Sequence, residues 1–450
     1  MSRTWTIVAV FAKRFFVALW RTRFGFMDGV RKRALRAVQL RLAFEELGPA
    51  FIKLGQLISL RPDVMPAEYV FEMESLRDAV PAMPYEAIAA VIQHDFGRSP
   101  DELFDDFERV PIGSASIAQV HRARLREPYV TIFGEVLEAG TPLAVKVVRP
   151  GTLATIEKDL AIVSRLVARI DRFKAVHRFS LPLIIEELGH SLQSECDVRN
   201  EARISDRFAF NFRDWPHVMT APMVWPLISR NVLTMRFIEG YHLSQAAEAE
   251  AAGIDARFLA LHGAEIFMRQ VLELGAFHAD LHQSNMILTE DGRICYIDFG
   301  IIGEVAVEHR EAITQVLVAT VYGDAKRAIK YSADLGLIIT PERQPIVEAK
   351  VAELMARTLG AQPRDIRGFA IGFLGIMNEE RVSVPRGFGL LIKALVVVEG
   401  CAQMVYPDID VTEAAKPYAT KLVARQMMNP ARIYQRLPEA IDAFMAELVG

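Results

Sequence analysis

The stretch FHADLHQSNMILTEDGRICYIDFG, at residues 277–300, is the most informative part of the sequence. Its segments MIL and ICYI predict two short strands, and the Asp-Gly within the intervening TEDG is typical of a tight hairpin turn. Polar residues stand just outside the strands, with His278, Asp280 and Asn285 before the first and Asp298 after the second. A hairpin that brings two acids and an amide to one end is suited to bind a cation, with phosphate on the far side of that cation.

Length and composition indicate a globular protein of more than one domain. The 450 residues exceed the usual size of a single core, and 51% are hydrophobic while 24% are charged. The three cysteines, Cys196, Cys295 and Cys401, form no CxxC pair, which indicates a reducing compartment and gives no metal site built from thiols. Cys295 and Cys401 lie in apolar runs and are expected to be buried.

Positive charge is concentrated in residues 1–41. This arm holds ten Lys or Arg and a single acid, so its net charge is +9 and that of the remainder is −13. Large aromatic residues lie between the cations: Trp5, Phe11, Phe15, Phe16, Trp20, Phe24 and Phe26. Such a segment predicts either a helix that lies on an anionic membrane surface or a solvated helix that packs its aromatic rings on the main body. Nucleic acid is not an expected partner, because the rest of the chain is acidic.

The apolar segments of the sequence are too short to span a membrane. The run at 7–12 is cut by Lys13 and Arg14, and the later runs IGFLGIM and ALVVV are flanked by charge. The sequence therefore predicts a cytoplasmic protein that associates peripherally with membranes and has no transmembrane helix.

The order of predicted elements indicates a helical preface, a small α+β lobe and a mostly helical lobe. Residues 30–95 are expected to be helical, and strands are expected in LFDDFERVP, IAQVHRARL and TPLAVKVVRPG. Two long helices are predicted at 152–172 and 183–212, strands near 217–239, and helices from about 254 apart from the hairpin. The predicted domains are a basic arm and helical extension at 1–95, a strand-rich lobe at 96–232 and a helical lobe at 233–450.

Three residues have the spacing of a kinase catalytic centre. Asp280 is followed after five positions by Asn285, and Asp298 opens a later Asp-Phe-Gly. Phosphoryl transfer requires positioned groups and neutralised charge, so Asn285 and Asp298 are expected to hold Mg²⁺ against the phosphates of a nucleotide. Asp280 is expected to accept the proton of the attacking hydroxyl or water.

A kinase centre also needs a strand lysine and a helix glutamate. LAVKV places Lys146 at the end of an apolar strand, and SECDVRNEA on the second long helix offers Glu195, Asp197 and Glu201. Asp197 and Glu201 are i and i+4 on the expected helix, a like-charge pair that is unfavourable unless one of them finds a cation. Pairing of Glu201 with Lys146 would resolve this and fix the lysine for the α- and β-phosphates. The alternative is a solvated acidic helix face.

The expected phosphate loop is unusual for a kinase. PIGSASIAQVH, at 111–121, lies between two strands, where kinases place several glycines so that backbone amides can approach phosphate. Here Gly113 stands alone before Ser114, Ala115 and Ser116. Small residues still allow a close approach, but fewer positions reach positive φ freely, so we expect this loop to bind phosphate differently from a protein kinase.

These motifs together resemble the UbiB family of atypical kinase-like proteins, also called aarF-domain-containing kinases. Lys53-Leu-Gly55-Gln56 looks like the family's KxGQ signature, PIGSASIAQVHRA like its alanine-rich loop, and ECDVRNEA like its ExD segment. FHADLHQSN looks like its catalytic loop, and KALVVVEGCAQMVYPDID is similar to its C-terminal end. The resemblance covers about residues 35–420.

The resemblance implies a two-lobed protein kinase-like fold of the α+β class, with the KxGQ helices over the active site. Lys53 and Gln56 would form a lid in which Lys53 pairs with Glu195. Members use ATP or ADP with Mg²⁺, associate with membranes, and support biosynthesis of ubiquinone or another prenyl lipid. The implied partners are therefore an anionic membrane surface, a prenyl lipid and quinone-biosynthesis proteins, and the implied reaction is ATP hydrolysis rather than phosphorylation of proteins.

The chain departs from the family's pattern at three places. Its loop reads GSAS, Ser284 stands where the family has glycine, and the hairpin at 127–141 is longer than usual. Two other functions stay open. One is a small-molecule phosphotransferase, whose site would be open rather than capped, and the other is a nucleotide-gated, lipid-binding scaffold without turnover.

Overall fold

The chain divides into two compact units, Met1–Gln245 with His282–Ile301, and Ala246–Leu281 with Ile302–Gly450. The computed structural model describes residues 2–24, 29–59, 66–73, 75–76, 81–172, 181–279, 281, 285–300, 302–360, 364–407, 409–410, 418 and 420. In the first unit, the helical extension and the strand-rich segment form one body. The expected domain boundaries near residues 95 and 232 stay predictions.

Helices make up most of both units. Those of the first unit are α1 (Arg3–Phe24), α2 (Gly29–Leu47), α3 (Pro49–Ser59), α4 (Ala67–Met73), α5 (Tyr85–Phe96), α6 (Pro100–Leu103), α7 (Thr152–Ile170), α8 (Leu181–Glu195) and α9 (Val198–Asn211). Those of the second unit are α10 (Ala246–Ala251), α11 (Ala256–Arg269), α12 (Val307–Val321), α13 (Ala325–Ala333), α14 (Gln344–Leu359), α15 (Ile366–Glu379) and α16 (Arg386–Val405). A π-helical turn, Gln270–Leu274, continues α11, and short 3₁₀ turns cover Trp225–Leu227 and Leu243–Gln245.

The strands form small sheets. They are β1 (Phe104–Phe107), β2 (Gly113–Ser114), β3 (Ala118–Leu125), β4 (Tyr129–Val130), β5 (Val136–Leu137), β6 (Pro142–Val148), β7 (Val218–Thr220), β8 (Val232–Arg236), β9 (Tyr241–His242), β10 (Ala276–His278), β11 (Met286–Leu288), β12 (Ile294–Tyr296) and β13 (Ile302–Glu304). The main sheet has the order β1-β3-β6-β8 with β2 on β3, and a second sheet has the order β7-β12-β11-β9. β4 pairs with β5, and β10 pairs with β13 in the second unit.

Most sequence expectations about these elements are confirmed. The α+β class holds, and MIL and ICYI form the antiparallel hairpin β11–β12, with Met286 opposite Tyr296. Its turn contains Gly292 at φ 76°, a backbone conformation that side chains other than glycine rarely adopt. The long 127–141 segment is also a hairpin, and Cys295 and Cys401 are buried free thiols. In the described part of the chain, no helix is long and apolar enough to cross a membrane.

The single helix expected at 183–212 is wrong. The chain breaks at Cys196 and Asp197, so that α8 ends and α9 begins there. Asp197 is the N-cap of α9, with a carboxylate that accepts the backbone N–H of Arg199 at 3.2 Å and pairs with the Arg199 side chain. Aspartate is among the preferred N-cap residues, because its oxygen satisfies a free N–H of the first turn. The i, i+4 repulsion expected between Asp197 and Glu201 therefore does not arise.

The expectation that everything beyond 254 is helical, apart from the hairpin, is also wrong. The segments β10 and β13 form an antiparallel pair in which Phe277 lies opposite Gly303. A Cβ atom on Gly303 would come within 2.4 Å of the Phe277 ring, so only glycine fits there. Strands of three residues are too short to show the alternating pattern by which a sequence reveals them.

Helix α1 presents apolar side chains on two opposite faces. Ile7 and Val10 are buried against the body. The rings of Trp5, Phe15, Phe16 and Trp20 are 64–67% exposed. The expectation that a solvated arm would pack its aromatic rings on the main body is therefore wrong for these four rings.

Several cations of the arm are engaged by carboxylates of the body. Arg3 donates to the buried Asp159 of α7 at 2.9 and 2.6 Å. Lys13 and Arg14 both pair with Glu46 of α2, at 3.0 and 2.7 Å. The positive charge that the arm presents to solvent is thus smaller than the sequence count.

The glycine of the KxGQ segment is required by packing. A Cβ atom on Gly55 would lie 2.3 Å from Cδ1 of Leu76 and 2.6 Å from Cδ2 of Phe44. Helix α3 can therefore approach α2 this closely only because residue 55 has no side chain.

We expect Gly55→Ala to lower the free energy of unfolding by about 1–3 kcal/mol, the usual cost of overpacking a core. Gly189→Ala on α8 is the matched control, because its Cβ atom would make an ordinary contact, 3.4 Å from Leu160. In the control, the better helix propensity of alanine should keep or raise stability. Urea unfolding measures both, and equal midpoints for Gly55→Ala and wild type would contradict the packing argument.

Candidate active site

An ion pair between a strand lysine and a helix glutamate lies at the centre of the candidate site. Nζ of Lys146, on β6, donates to Oε1 and Oε2 of Glu201, on α9, at 2.9 and 2.8 Å. The alternation of β6 sets the direction of the lysine, because Val145 and Val147 enter the core with α5 and Lys146 must face the other side. Only 20% of the lysine side chain and 10% of the glutamate side chain are exposed. Glu201 is therefore not part of a solvated acidic face.

Asp298 joins this pair from the end of the hairpin. Its Oδ2 lies 3.5 Å from Nζ of Lys146, and its Oδ1 accepts the backbone N–H of Gly300 at 3.0 Å. The Asp298 side chain is 37% exposed, more than that of Glu201. Glu201 thus pairs with Lys146 in the protein interior, while part of the Asp298 carboxylate remains accessible to a ligand.

Asn285 lies at the same end of the hairpin as Asp298. It directly precedes β11, and its backbone oxygen accepts the N–H of Ile297, the residue before Asp298, at 3.1 Å. The hairpin therefore places Asn285 and Asp298, which are 13 residues apart in the sequence, at its same end.

The charges around Lys146 keep it protonated. Burial acts to lower the pKa of Lys146, and the nearby ammonium of Lys53 acts in the same direction. Attraction to Asp298 and Glu201 raises the pKa by more, so the net shift is upward. The lysine is a cation throughout the neutral range and does not act as a general base.

An aromatic contact ties Asp298 to the helix that carries Glu201. Phe299, the residue after Asp298, is buried, with its ring centroid 5.2 Å from that of Phe208 on α9. Phe208 also lies 5.0 Å from Tyr296 of β12. Glu201 and Phe208 are two helical turns apart and therefore share one face of α9. Through Glu201 this face holds Lys146, and through Phe208 it holds the Asp-Phe-Gly turn.

Arg149, which the sequence analysis missed, holds the expected phosphate loop. Ala115 N–H donates to the carbonyl of Ala118 at 2.8 Å, which makes the loop a tight turn between β2 and β3. Arg149, just after β6, donates through Nε to the carbonyl of Ala115 at 2.8 Å and through Nη2 to Oγ of Ser114 at 2.5 Å. It also reaches the carbonyl of Pro81 at 2.9 Å. The sequence gives no sign of these three acceptors. It shows only that a cation follows β6, the strand that carries Lys146.

An apolar cluster on the lysine side of β6 was also missed. Ala144, two residues before Lys146, shares its face of the strand and packs in a cluster that includes Ile117, Met235 and Ile287. Ile117 and Ala144 are only partly buried. The members come from distant segments, so only the fold reveals them as neighbours.

The chain matches a known family over more than half of its length. Residues 75–332 match the model of the ABC1 atypical kinase-like domain. The chain belongs to this family. The match confirms the atypical kinase-like relationship that the KxGQ, ExD and catalytic-loop motifs predicted.

Two individual proteins are similar to this chain. A relative from Synechocystis sp. (strain PCC 6803), named only as an uncharacterized protein, is 30% identical over 411 residues, which are 91% of this chain and 58% of the relative. The chain thus spans less than two thirds of that relative. Among solved structures, the complex of Rv3197 with erythromycin from Mycobacterium tuberculosis is 20% identical with a TM-score of 0.49, and the likeness covers 85% of this chain and 97% of that one.

The KxGQ segment of this ABC1 member lies on α3, which packs against α7 and α8. Lys53 is close enough to Lys146 to act on its pKa. Gln56 donates through Nε2 to the carbonyl of Leu76 at 3.4 Å. The side chain of Glu195 lies outside the described residues, so its pairing with Lys53 stays a prediction.

Asp280, the expected proton acceptor of the ABC1 catalytic loop, also lies outside the described residues. Among its described neighbours, His278 is buried on β10, and its backbone N–H donates to Oε1 of Gln270 at 2.9 Å. Gln270 opens the π-helical turn, a local irregularity of the kind that often accompanies functional sites.

The residues present fit the nucleotide and Mg²⁺ that the ABC1 family implies. The amide oxygen of Asn285 and the carboxylate of Asp298 are the hard oxygen donors that Mg²⁺ prefers. The hydroxyl of Ser116, at the end of the loop, is buried and has no hydrogen-bond partner among the described residues, so a donor or acceptor is available there. Among the described residues, no three His, Cys, Asp or Glu side chains converge as a metal cluster.

We expect Arg149→Ala to loosen the loop, because three hydrogen bonds are lost. Hydrogen exchange of amides 113–117 should become about tenfold faster, which corresponds to about 1.4 kcal/mol of local stability. Arg149→Lys should be intermediate, since a single ammonium cannot reproduce the guanidinium geometry. Arg124→Ala is the control, because Arg124 also donates to a backbone carbonyl, that of Gly140. Unchanged hydrogen exchange of these amides in Arg149→Ala would show that the loop is stable without the arginine.

Proposed function

We propose that this protein is an ATP-binding, Mg²⁺-dependent atypical kinase or ATPase of the UbiB type that supports biosynthesis of ubiquinone or another prenyl lipid. The observation that carries the proposal is the arrangement of Lys146, held by Glu201 and 3.5 Å from Asp298. A buried, permanently charged lysine beside an accessible carboxylate suits a phosphate chain that carries a divalent cation.

In the proposed reaction each residue has a separate task. Lys146 binds the α- and β-phosphate oxygens, and Glu201 holds the ammonium in position. Mg²⁺, held by Asn285 and Asp298, would neutralise charge on the phosphates. Asp280 would accept the proton of the attacking hydroxyl or water.

Two further parts of the first unit would hold the rest of the nucleotide. Backbone amides of the loop from Gly113 to Ser116, held by Arg149, would approach the phosphates. The partly buried Ile117 and Ala144 would contact the purine ring, since flat apolar contact is what such a ring requires.

The position of Lys53 favours a capped site over the open site of a small-molecule phosphotransferase. Its ammonium acts on Lys146, which supports a lid role for the segment Lys53–Gln56. A capped site restricts the acceptor to water or a small group. We therefore propose ATP hydrolysis, coupled to a prenyl lipid or to quinone-biosynthesis proteins, rather than phosphorylation of protein substrates.

Asp298→Asn should weaken binding of ATP in the presence of Mg²⁺ by at least about tenfold, or about 1.4 kcal/mol, because the site loses its negatively charged ligand. Without Mg²⁺ the variant and wild type should bind ATP similarly. Asp291→Asn is the control, because Asp291 is an exposed carboxylate in the turn of the same hairpin. Isothermal titration with and without Mg²⁺ decides this, and an unchanged Mg²⁺ effect in Asp298→Asn would refute the metal assignment.

ATP hydrolysis with and without anionic liposomes tests turnover, with Asp298→Asn as the blank. Turnover above the blank supports an ATPase, and a further rise with liposomes supports coupling to a membrane. Binding of ATP without turnover in either condition would favour the nucleotide-gated scaffold instead.

We also propose that the outer face of α1 contacts an anionic membrane surface. Trp5, Phe15, Phe16 and Trp20 stand on this face and are about two-thirds exposed. Aromatic rings of this kind insert at the boundary between head groups and acyl chains. Because Lys13 and others of the arm's cations are already paired with carboxylates, apolar insertion would supply most of the affinity and screening by salt would have a small effect.

Replacement of these four aromatic residues by Ser should reduce co-sedimentation with anionic liposomes by about tenfold or more, since each buried ring contributes more than a kcal/mol. Phe210→Ser on α9 is the control, because Phe210 is an exposed ring elsewhere on the first unit. Raising the salt from 0.1 to 0.5 M should change wild-type binding far less than the substitutions do. Equal binding of the four-fold variant and wild type would rule out α1 as the contact.

A further inference from the structure

The second unit contains an apolar cavity of about 120 Å³. It lies among α11, α12, α13, α14, α15 and α16. Its lining includes Phe267, Ile313, Leu317, Ile329, Met355 and Phe373. Ser332 also lines it, but the hydroxyl of Ser332 donates to the carbonyl of Ala328 at 2.7 Å within its own helix. A ligand in this cavity would therefore meet hydrocarbon on nearly every side.

Small residues keep the cavity open. Ala264, Ala328 and Ala370 line it from α11, α13 and α15, and all three are buried. Protein interiors are close-packed, and an empty space deprives its lining atoms of contacts. A larger aliphatic residue at any of these three positions would fill the space, so the alanines are the feature that makes room for a ligand.

The size and chemistry of the cavity define the class of ligand. A dry cavity of about 150 Å³ accepts benzene, so the space here suits about five or six carbon atoms. One charged residue, Arg364, stands among the described lining residues and pairs with Asp410 at 3.8 Å. The edge beside this arginine is the polar part of an otherwise apolar lining.

We propose that this cavity binds the hydrocarbon end of an amphiphile, with the polar end of the ligand toward Arg364. An isoprenoid chain and a fatty acyl chain share this chemistry. The proposal goes beyond the nucleotide chemistry proposed above and does not require it, since all lining residues belong to the second unit.

Thermal unfolding of the full chain with a series of alcohols tests the proposal. The melting temperature of the wild type should rise with 1-hexanol and with 3-methyl-2-buten-1-ol, and hardly with 1-propanol, which leaves the cavity partly empty. A larger rise with 3-methyl-2-buten-1-ol than with 1-hexanol would identify an isoprenoid end, and the reverse an acyl end. No rise with any alcohol would overturn the proposal and leave the cavity a packing void.

Filling the cavity provides the decisive comparison. Ala328→Leu and Ala370→Leu should raise the melting temperature without alcohol and abolish the rise with alcohol. Ala312→Leu on α12 is the control, because Ala312 is buried but does not line the cavity, so this variant should retain the rise. A rise that persists in both filled variants would place the alcohol elsewhere and refute the site.

Two more variants keep the test decisive if the filled variants do not fold. Leu317→Ala enlarges the cavity and should increase the alcohol chain length that gives the largest rise, by about two carbons. An unchanged optimum would contradict the proposal. Asp298→Asn should retain the rise, so that failure of the cavity proposal is distinguished from failure of the nucleotide site.

Discussion

The candidate site depends on the ion pair between Lys146 and Glu201. Each charge is buried, so neither is stable without the other, and removal of one partner from such a pair costs about 3–5 kcal/mol. The pair joins the main sheet to α9, and the same face of α9 carries Phe208, which packs on Phe299 beside Asp298. The lysine, the glutamate and the accessible carboxylate are thus fixed by one helix surface, and a displacement of α9 would alter all three.

The parts of this site that local spacing determines could be predicted from the sequence. The hairpin follows from an Asp-Gly turn between apolar segments, and the pairing of Lys146 with Glu201 follows from the need of a strand cation for a carboxylate. Repulsion between Asp197 and Glu201 plays no part in that pairing, because Asp197 caps α9 and does not lie within the same helix. Arg149 could not be predicted, since its acceptors are mostly backbone carbonyls, and every residue type supplies these.

Some features of helix α1 could also be predicted from the sequence, while others depend on tertiary contacts. The sequence identified a basic, aromatic arm, but counting charges could not show that Arg3, Lys13 and Arg14 are matched by carboxylates of the body. Nor could periodicity alone separate the buried Ile7 from the exposed Trp5, because the helix is apolar on two faces. Tertiary contacts decide which apolar face is interior and which remains exposed.

The contact between Arg3 and Asp159 has a consequence for the order in which the chain is made. The two residues are 156 positions apart, so α1 leaves the ribosome long before its partner on α7 exists. At about 5–20 residues per second, that interval lasts roughly eight to thirty seconds. During this time the inner face of α1 can already pack on α2, which follows it directly in the chain, and Arg3 can already donate to the carbonyl of Leu47. The carboxylate partner of Arg3 is the part that comes late, so the ion pair with Asp159 joins α1 to α7 only after the first two helices have formed.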